Sequence, residues 1–226
     1  MAHTYALGQA RTTSTGNPTT VSYTVNRGDT VLGLLIKGVG GTARADGAPT
    51  LGPYTFTQAN STQIAATSPE ASAEAWWIVN PHPGTYTLTI PNTGAISLRY
   101  TVAVGRAASG GHSIFAGANG SNGTSTNPTP GALTPNGDGA IYFAIVASGA
   151  TTWSPSAQGG TIIANTDDGA NGGGEQYLLQ GARAAATLNW TFGTSDDWGA
   201  VVMAFDEVAP HNIENFKRVG IGNWGA

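Results

Sequence analysis

The turn Asn26-Arg27-Gly28-Asp29 is followed at once by the apolar run Val31-Leu32-Gly33-Leu34-Leu35-Ile36. Asn, Gly and Asp are residues that turns favour, because they tolerate unusual backbone angles or hydrogen-bond to nearby backbone. A short apolar run bounded by a turn is typical of a strand that is buried on both faces. We therefore predict a turn over 26–29 that leads directly into a core strand over 31–36.

The same pattern returns later in the chain, where Asn136-Gly137-Asp138-Gly139 leads into the apolar run 140–146 and Gly137 lies 109 positions after Gly28. Other segments repeat in the same order at a nearly constant offset. The segments 112–117, 175–179, 185–191 and 198–205 correspond to 3–8, 73–79, 85–90 and 96–104. Similarity in one element could arise by chance, but a conserved order of several elements indicates an internal duplication.

The segments between the turns have the pattern of short strands. Residues 21–25, Val-Ser-Tyr-Thr-Val, alternate apolar and polar side chains, as a strand with one buried face does. The 33 glycines and 12 prolines are spread along the whole chain and separate short elements. We therefore expect an all-β protein made of two tandem antiparallel β-sandwich lobes of the jelly-roll or immunoglobulin-like type.

The expected boundaries follow from the repeat. The first lobe spans 1–108, the second spans 109–207, and 208–226 form an extended C-terminal arm without a counterpart in the first repeat. One larger sandwich shared by both repeats is the structural alternative.

Composition and charge argue against several partners and compartments. Charged residues make up only 10% of the chain, the net charge is −4, and no basic stripe is present, so we expect no nucleic-acid partner. No apolar run reaches the roughly 18 residues of a membrane helix. The N-terminus lacks the pattern of a signal peptide. We expect no membrane partner and production in the cytoplasm.

Catalytic patterns are weak, and we predict that the chain is not an enzyme and uses no cofactor. Asp167-Asp168 and Asp196-Asp197 are the candidate carboxylate pairs for glycoside hydrolysis, but both lie in predicted Gly/Ser-rich loops and read as solvated turn residues. No Gly-x-Ser-x-Gly nucleophile motif is present. Arg27-Gly28-Asp29 matches an integrin-type tripeptide, but its turn formers return in the second repeat without the arginine.

Two binding alternatives remain open. Trp153 and Trp198 are predicted at strand edges next to loops, where an indole could stack on a sugar ring, although packing is the default role of such aromatics. Oxygen ligands for Ca²⁺ are present at Asn165, Asp167, Asp168 and Asn171, without the spacing of a known calcium loop, so no metal site is predicted.

The last segment, 208–226, differs from the rest of the chain. It contains Phe216, Lys217, Arg218 and Trp224 within a short irregular stretch. Large aromatic residues are unusual in a disordered tail. We therefore interpret these four residues as the docking residues of an arm that binds a partner.

The Gly-Asp turn before an apolar strand, the hairpin around Trp76-Trp77 and the closing strand 198–205 together resemble modules of bacterial surface proteins and of tailed-phage virion proteins. The resemblance covers about residues 3–207. It implies a non-enzymatic virion protein, assembled in the host cytoplasm, that decorates or cements the capsid or belongs to the tail. Its implied partner is the major capsid or tail protein, and it is expected to be a homo-oligomer. A carbohydrate-binding or adhesin module on a cell surface or tail tip is the alternative.

Overall fold

The computed structural model describes residues 3–14, 18–39, 45, 47–64, 71–92, 98–108, 111–148, 156–165 and 173–208. All regular structure in these ranges is β-strand, and every strand pair is antiparallel. The strands are β1 (Thr4–Ser14), β2 (Thr19–Val25), β3 (Val31–Val39), β4 (Thr50–Leu51), β5 (Tyr54–Thr55), β6 (Thr57–Ile64), β7 (Ala71–Val79), β8 (Gly84–Ile90), β9 (Leu98–Arg106), β10 (His112–Ser125), β11 (Ala140–Ser148), β12 (Ser156–Gln158), β13 (Thr161–Asn165), β14 (Gly173–Gln180), β15 (Asn189–Thr191) and β16 (Asp196–Val208). The prediction of an all-β, antiparallel fold is confirmed.

The described strands form four sheets, which we number I to IV. Sheet I has the order β2-β8-β4-β5, and sheet II has the order β1-β9-β3-β7-β6. Sheet III has the order β10-β16-β11-β14-β13, and sheet IV is the pair β12-β15. Sheets II and III therefore share one arrangement, because the first strand of each half, β1 or β10, lies at one edge and the buried strand β3 or β11 lies at the centre.

Strand alternation arranges the sheets as stacked layers. Leu32, Leu34 and Ile36 of β3 pack with side chains of sheet I, such as Leu88, in one apolar cluster. The opposite face of β3, which includes Leu35, packs in a second cluster with sheet III. Successive side chains of a strand point to opposite faces. Sheet II therefore lies between sheets I and III, and β3 is buried on both faces as the sequence predicts.

Sheet III is covered on both faces in the same way. Ile141, Phe143 and Ile145 of β11 face sheet II, and the alternate residues Tyr142 and Ala144 belong to a third apolar cluster. That third cluster includes the segment before and around β15, where Leu188, Trp190 and Phe192 are buried. These three alternate residues therefore form the buried face of this segment.

Aromatic side chains fill the layer between sheets II and III. Trp77 of β7 stacks on Phe115 of β10 with ring centroids 4.8 Å apart and an interplanar angle of 9°. Tyr5 of β1 stacks on Tyr177 of β14 with centroids 3.8 Å apart. Such pairs add to the apolar burial that holds the two sheets together. The two halves of the chain thus meet across a packed interface.

The outer edge of β10 is partly closed by asparagine side chains. The amide of Asn80 donates to Ser113 O at 2.9 Å and accepts from Ser113 N at 3.0 Å. The amide of Asn136 donates to Ala116 O at 3.3 Å. An edge strand with unpaired peptide groups is a template for pairing with another chain. These contacts leave fewer peptide groups of β10 free to pair with another chain.

Some strand boundaries depart from the simple pattern of the sequence. The polar segment 11–20 is not one loop, because β1 continues to Ser14. Residues 53–58 are divided between β5 and β6 at Phe56, whose N donates to Pro49 O. Asp196 and Asp197 begin strand β16 instead of lying in a loop, because they pair in register with Ser125 and Thr124 of β10. The C-terminal arm lies outside the described residues, except for Val208 at the end of β16.

Candidate functional site

A cavity of about 340 Å³ lies where two loops of the first half meet the connection to the second half. Its lining comes from the turn before β3, from the loop between β7 and β8, and from the segment between β9 and β10. The lining residues are Arg27, Gly28, Asp29, Thr30, Asn80, Pro81, His82, Pro83, Ala107, Gly111 and His112. The turn with which the sequence argument begins therefore forms one wall of this cavity.

The turn is held by the carboxylate of Asp29. Asn26 N donates to Asp29 Oδ2 at 2.8 Å, and Arg106 Nε donates to Asp29 Oδ1 at 2.8 Å. Gly28 has a φ of 94°, a left-handed conformation in which a side chain would be strained. The Asp29 side chain is 0% exposed, so it is not available to a receptor. The Arg-Gly-Asp tripeptide is thus a structural turn.

The loop 80–83 is fixed at its first residue. Asn80 has a φ of 50°, the one left-handed non-glycine conformation among the described residues. Its N donates to Thr30 O at 2.8 Å, and its side-chain amide forms the two hydrogen bonds with Ser113. A strained conformation persists only where surrounding contacts enforce it. Asn80 therefore connects this loop to Thr30, just before β3, and to strand β10.

Two tyrosines fix the backbone of His82 in the same loop. His82 N donates to the Tyr54 hydroxyl at 3.0 Å, and the Tyr86 hydroxyl donates to His82 O at 3.2 Å. The two rings meet edge to face with centroids 5.7 Å apart and an interplanar angle of 89°. Because Pro81 and Pro83 flank His82 and restrict the backbone further, the loop is rigid where it borders the cavity.

Three side chains capable of donating hydrogen bonds line the cavity and remain exposed: Arg27, His82 and His112. No described residue hydrogen-bonds to the side chain of any of them. The carboxylate of Asp29 in the same lining is neutralised by Arg106. The cavity therefore presents one fixed positive charge and two imidazoles without an opposing free carboxylate in its lining.

A buried histidine lies behind this site. His3 is 1% exposed, its Nδ1 donates to Gly139 O at 2.6 Å, and its Nε2 lies 2.7 Å from Ser113 Oγ. Ser113 Oγ in turn lies 2.8 Å from Thr30 Oγ1. Burial lowers the pKa of His3, against smaller opposing effects of the Gly139 hydrogen bond, Glu207 and Asp206. This network joins His3, just before β1, to Gly139 before β11 and, through Ser113, to Thr30 before β3.

We expect His3 to make the free energy of unfolding decrease as the pH is lowered. Since its pKa is lower in the folded chain than the ordinary 6.5, its stabilising contribution is fully present above about pH 6.5 and is lost as the pH falls toward the lowered pKa. Chemical unfolding at pH 7.5 and pH 5 measures this difference. His3→Gln should make the pH dependence shallower. An unchanged slope in this variant would contradict the role given to His3.

The sugar-stacking hypothesis for Trp198 is not supported by its environment. Trp198 is 5% exposed, packs in the cluster between sheets III and IV, and donates from Nε1 to Ser125 Oγ at 2.9 Å. A buried indole offers no face to a sugar ring, so packing is the role that its environment indicates for Trp198. Trp153 lies outside the described residues, as do Phe216, Lys217, Arg218 and Trp224.

The candidate carboxylates are placed only in part. Asp196 is hydrogen-bonded to the Ser148 hydroxyl and Asp197 to the Thr124 hydroxyl, so the two neighbours bind different strands. Asp167, Asp168, Asn171 and the side chain of Asn165 lie outside the part of the chain that the structure describes. Within the described ranges, no group of three or more His, Asp or Glu residues is arranged to hold a metal ion.

Sequence reasoning did not bring together the three donors of the cavity. In the sequence, Arg27 belongs to the Arg-Gly-Asp tripeptide, His82 lies between two prolines, and His112 occupies the position that corresponds to His3. They are far apart in sequence and converge because the loop 80–83 and the start of β10 both lie beside the turn that precedes β3. No local motif signals this arrangement.

A search for membrane-spanning segments found, in the part of the chain that the structure describes, no helix long and apolar enough to cross a bilayer. Comparison of the chain with protein-family models, with curated proteins and with solved structures found no match in any of the three.

Proposed function

We propose that this chain is a non-enzymatic structural protein of a phage particle, which decorates or cements the capsid or forms part of the tail. Its partner would be the major capsid or tail protein, and it would act as a homo-oligomer assembled in the host cytoplasm. The observation that carries this proposal is the stack of layers. Both inner sheets are buried on both faces, which makes the body rigid and suited to a load-bearing role in a lattice.

The composition of the surface supports association. Only 10% of the residues are charged, and the long edge strand β10 contains Asn, Gly, Ser and Thr without any Asp, Glu, Lys or Arg. A surface with little charge is less protected against association than a charged one. We propose that the chain spends most of its life bound to other subunits.

An internal duplication is part of this proposal. Sheets II and III have the same strand order, and the central strands β3 and β11 begin at Val31 and Ala140, which keeps the offset of 109. Two copies of one unit that pack through equivalent sheets would enlarge the core without a new fold. The shared order supports the duplication beyond the similarity of the sequence segments.

The proposed attachment to the particle is the arm over 208–226. Its Phe216 and Trp224 would enter apolar pockets of the partner, and Lys217 and Arg218 would pair with acidic groups, as aromatic and arginine anchors do at interfaces. This part of the proposal rests on the sequence, since the chain after Val208 lies outside the described residues.

Quantitative mass spectrometry of purified particles from the native source tests the function. We expect the chain in many copies per particle. A chain that ends at Val208 should fold but be lost from the particles, whereas Phe216→Ser with Trp224→Ser should weaken attachment as a full-length control. Absence of the chain from particles would contradict the proposal. Specific glycan-array binding that is lost in Trp153→Ala would favour the adhesin alternative.

A further inference from the structure

The turn before the central strand, β3 or β11, has different hydrogen-bond partners in the two halves of the chain. In the second half, Arg183 follows β14 just as the loop 80–83 follows β7. Arg183 Nε donates to Pro135 O at 3.0 Å, and Arg183 N donates to Asp138 Oδ1 at 2.6 Å. The side chain of Arg183 therefore lies against the turn of the second half and is hydrogen-bonded to it.

In the first half the corresponding loop carries His82, whose side chain forms no hydrogen bond with a described residue. Arg27 is also exposed and lies at the position that Asn136 occupies in the other turn. The cavity of about 340 Å³ is thus bordered by donors that form no side-chain hydrogen bond with the part of the chain that the structure describes. This volume is at the small end of the roughly 300–1,000 Å³ of ligand sites.

We propose that the cavity bordered by Arg27, His82 and His112 binds a small oxyanion, a carboxylate or phosphate group of a free ligand. The planar guanidinium of Arg27 can bind such a group through two parallel hydrogen bonds. An imidazole donates an N–H in either protonation state. The Asp29 carboxylate does not oppose the anion, because its charge is paired with Arg106 at 2.8 Å.

The walls of the site are already in place before a ligand binds. The His82 backbone is held by the Tyr54 and Tyr86 hydroxyls, and Asn80 anchors the loop to Thr30 and Ser113. Binding to a rigid loop avoids the entropy cost of ordering that loop. The inference is independent of the particle function, since it rests on the residues that line the cavity and not on the C-terminal arm.

Histidine-ring NMR of the full-length chain tests this inference. Inorganic phosphate and acetate are titrated separately at constant pH, with sodium chloride at matched ionic strength as the reference. We expect saturable shifts of the His82 and His112 resonances, assigned with His82→Asn and His112→Asn, and no such shift for the buried His3. The anion whose titration saturates at the lower concentration identifies the preferred group.

Arg27→Gln should raise the dissociation constant for that anion about tenfold, because a charge-assisted pair is lost. Arg183→Gln is the matched control and should leave the dissociation constant unchanged, since Arg183 is hydrogen-bonded within the turn of the second half. Equal shifts with sodium chloride, or unchanged affinity in Arg27→Gln, would overturn the proposal. If Arg27→Gln alters the thermal midpoint, His112→Asn, whose side chain is exposed, gives the same test through the His82 resonance.

Discussion

Replacing Lys37 with methionine is expected to lower the free energy of unfolding by about 3–5 kcal/mol, the cost of leaving a buried charge without its partner. Lys37 is 0% exposed in the central strand β3, and Glu175 is 1% exposed in β14. Strand alternation directs both side chains into the layer between sheets II and III. We expect them to form an ion pair across that layer.

The environment of Lys37 favours this pairing. A Cβ built on Gly173 would lie 2.7 Å from Lys37 Cδ and 3.1 Å from its Cε, so the lysine chain runs closely past Gly173. Glu175 lies two residues further along β14 and therefore points to the same face. Because both side chains point into this layer, we expect the Lys37 ammonium group to approach the Glu175 carboxylate there.

Urea unfolding of Lys37→Met, Glu175→Leu and the double variant measures the coupling. Because a buried ion pair contributes little compared with apolar residues of similar volume, the double variant should be more stable than either single variant. Strictly additive losses in the double variant would contradict an ion pair between these residues.

Replacing Phe205 with alanine should cost about 3–5 kcal/mol, as the truncation of a fully buried phenylalanine does. Phe205 is 0% exposed, and its ring centroid lies 6.1 Å from that of Trp77, 5.7 Å from Phe115 and 6.2 Å from Phe143. Trp77 belongs to sheet II and the other rings to sheet III. The variant therefore removes a contact that joins the two halves.

Ile114→Ala is the matched control for Phe205→Ala. Ile114 lies on the neighbouring strand β10 next to Phe115, but 46% of it is exposed. Its replacement should change the free energy of unfolding by no more than about 0.5 kcal/mol, as is usual at the surface. Equal losses in the two variants would show that Phe205 does not occupy a packed interface.

The sequence predicted the local structure of the core well. The apolar runs that begin at Val31 and Ala140 become fully buried central strands, and the alternation over 21–25 and 188–192 gives one buried face, as observed. These features are local, since a run of apolar side chains bounded by turn residues restricts a strand to the interior.

The packing of sheet II on sheet III was not predictable in the same way. A strand with two apolar faces must be covered on both, but the pattern does not say which element covers it. The sequence is compatible with two lobes or with one larger sandwich, and nothing in it indicates that Trp77 stacks on Phe115. The length of β10 was also missed, because Gly, Asn and Ser are poor strand formers and are held there by pairing with β16.

The cavity was missed for a related reason. Arg27, His82 and His112 share no sequence motif, and their convergence depends on the Asn80 amide that joins its loop to Ser113. The turn at 26–29 was correctly read as structural, since Asp29 is used by Asn26 and Arg106. Its neighbour Arg27 nevertheless borders the open site, which only the assembled fold makes visible.

Residue-resolved urea unfolding tests most directly whether the stacked sheets form the single rigid body on which the proposed function rests. NMR signals of β8 in sheet I and of β11 in sheet III report on the two halves. We predict one common midpoint for both sets, which shifts equally for both in Phe205→Ala, because the halves share a packed layer. A midpoint for β8 that stays unchanged while that of β11 falls would contradict this account.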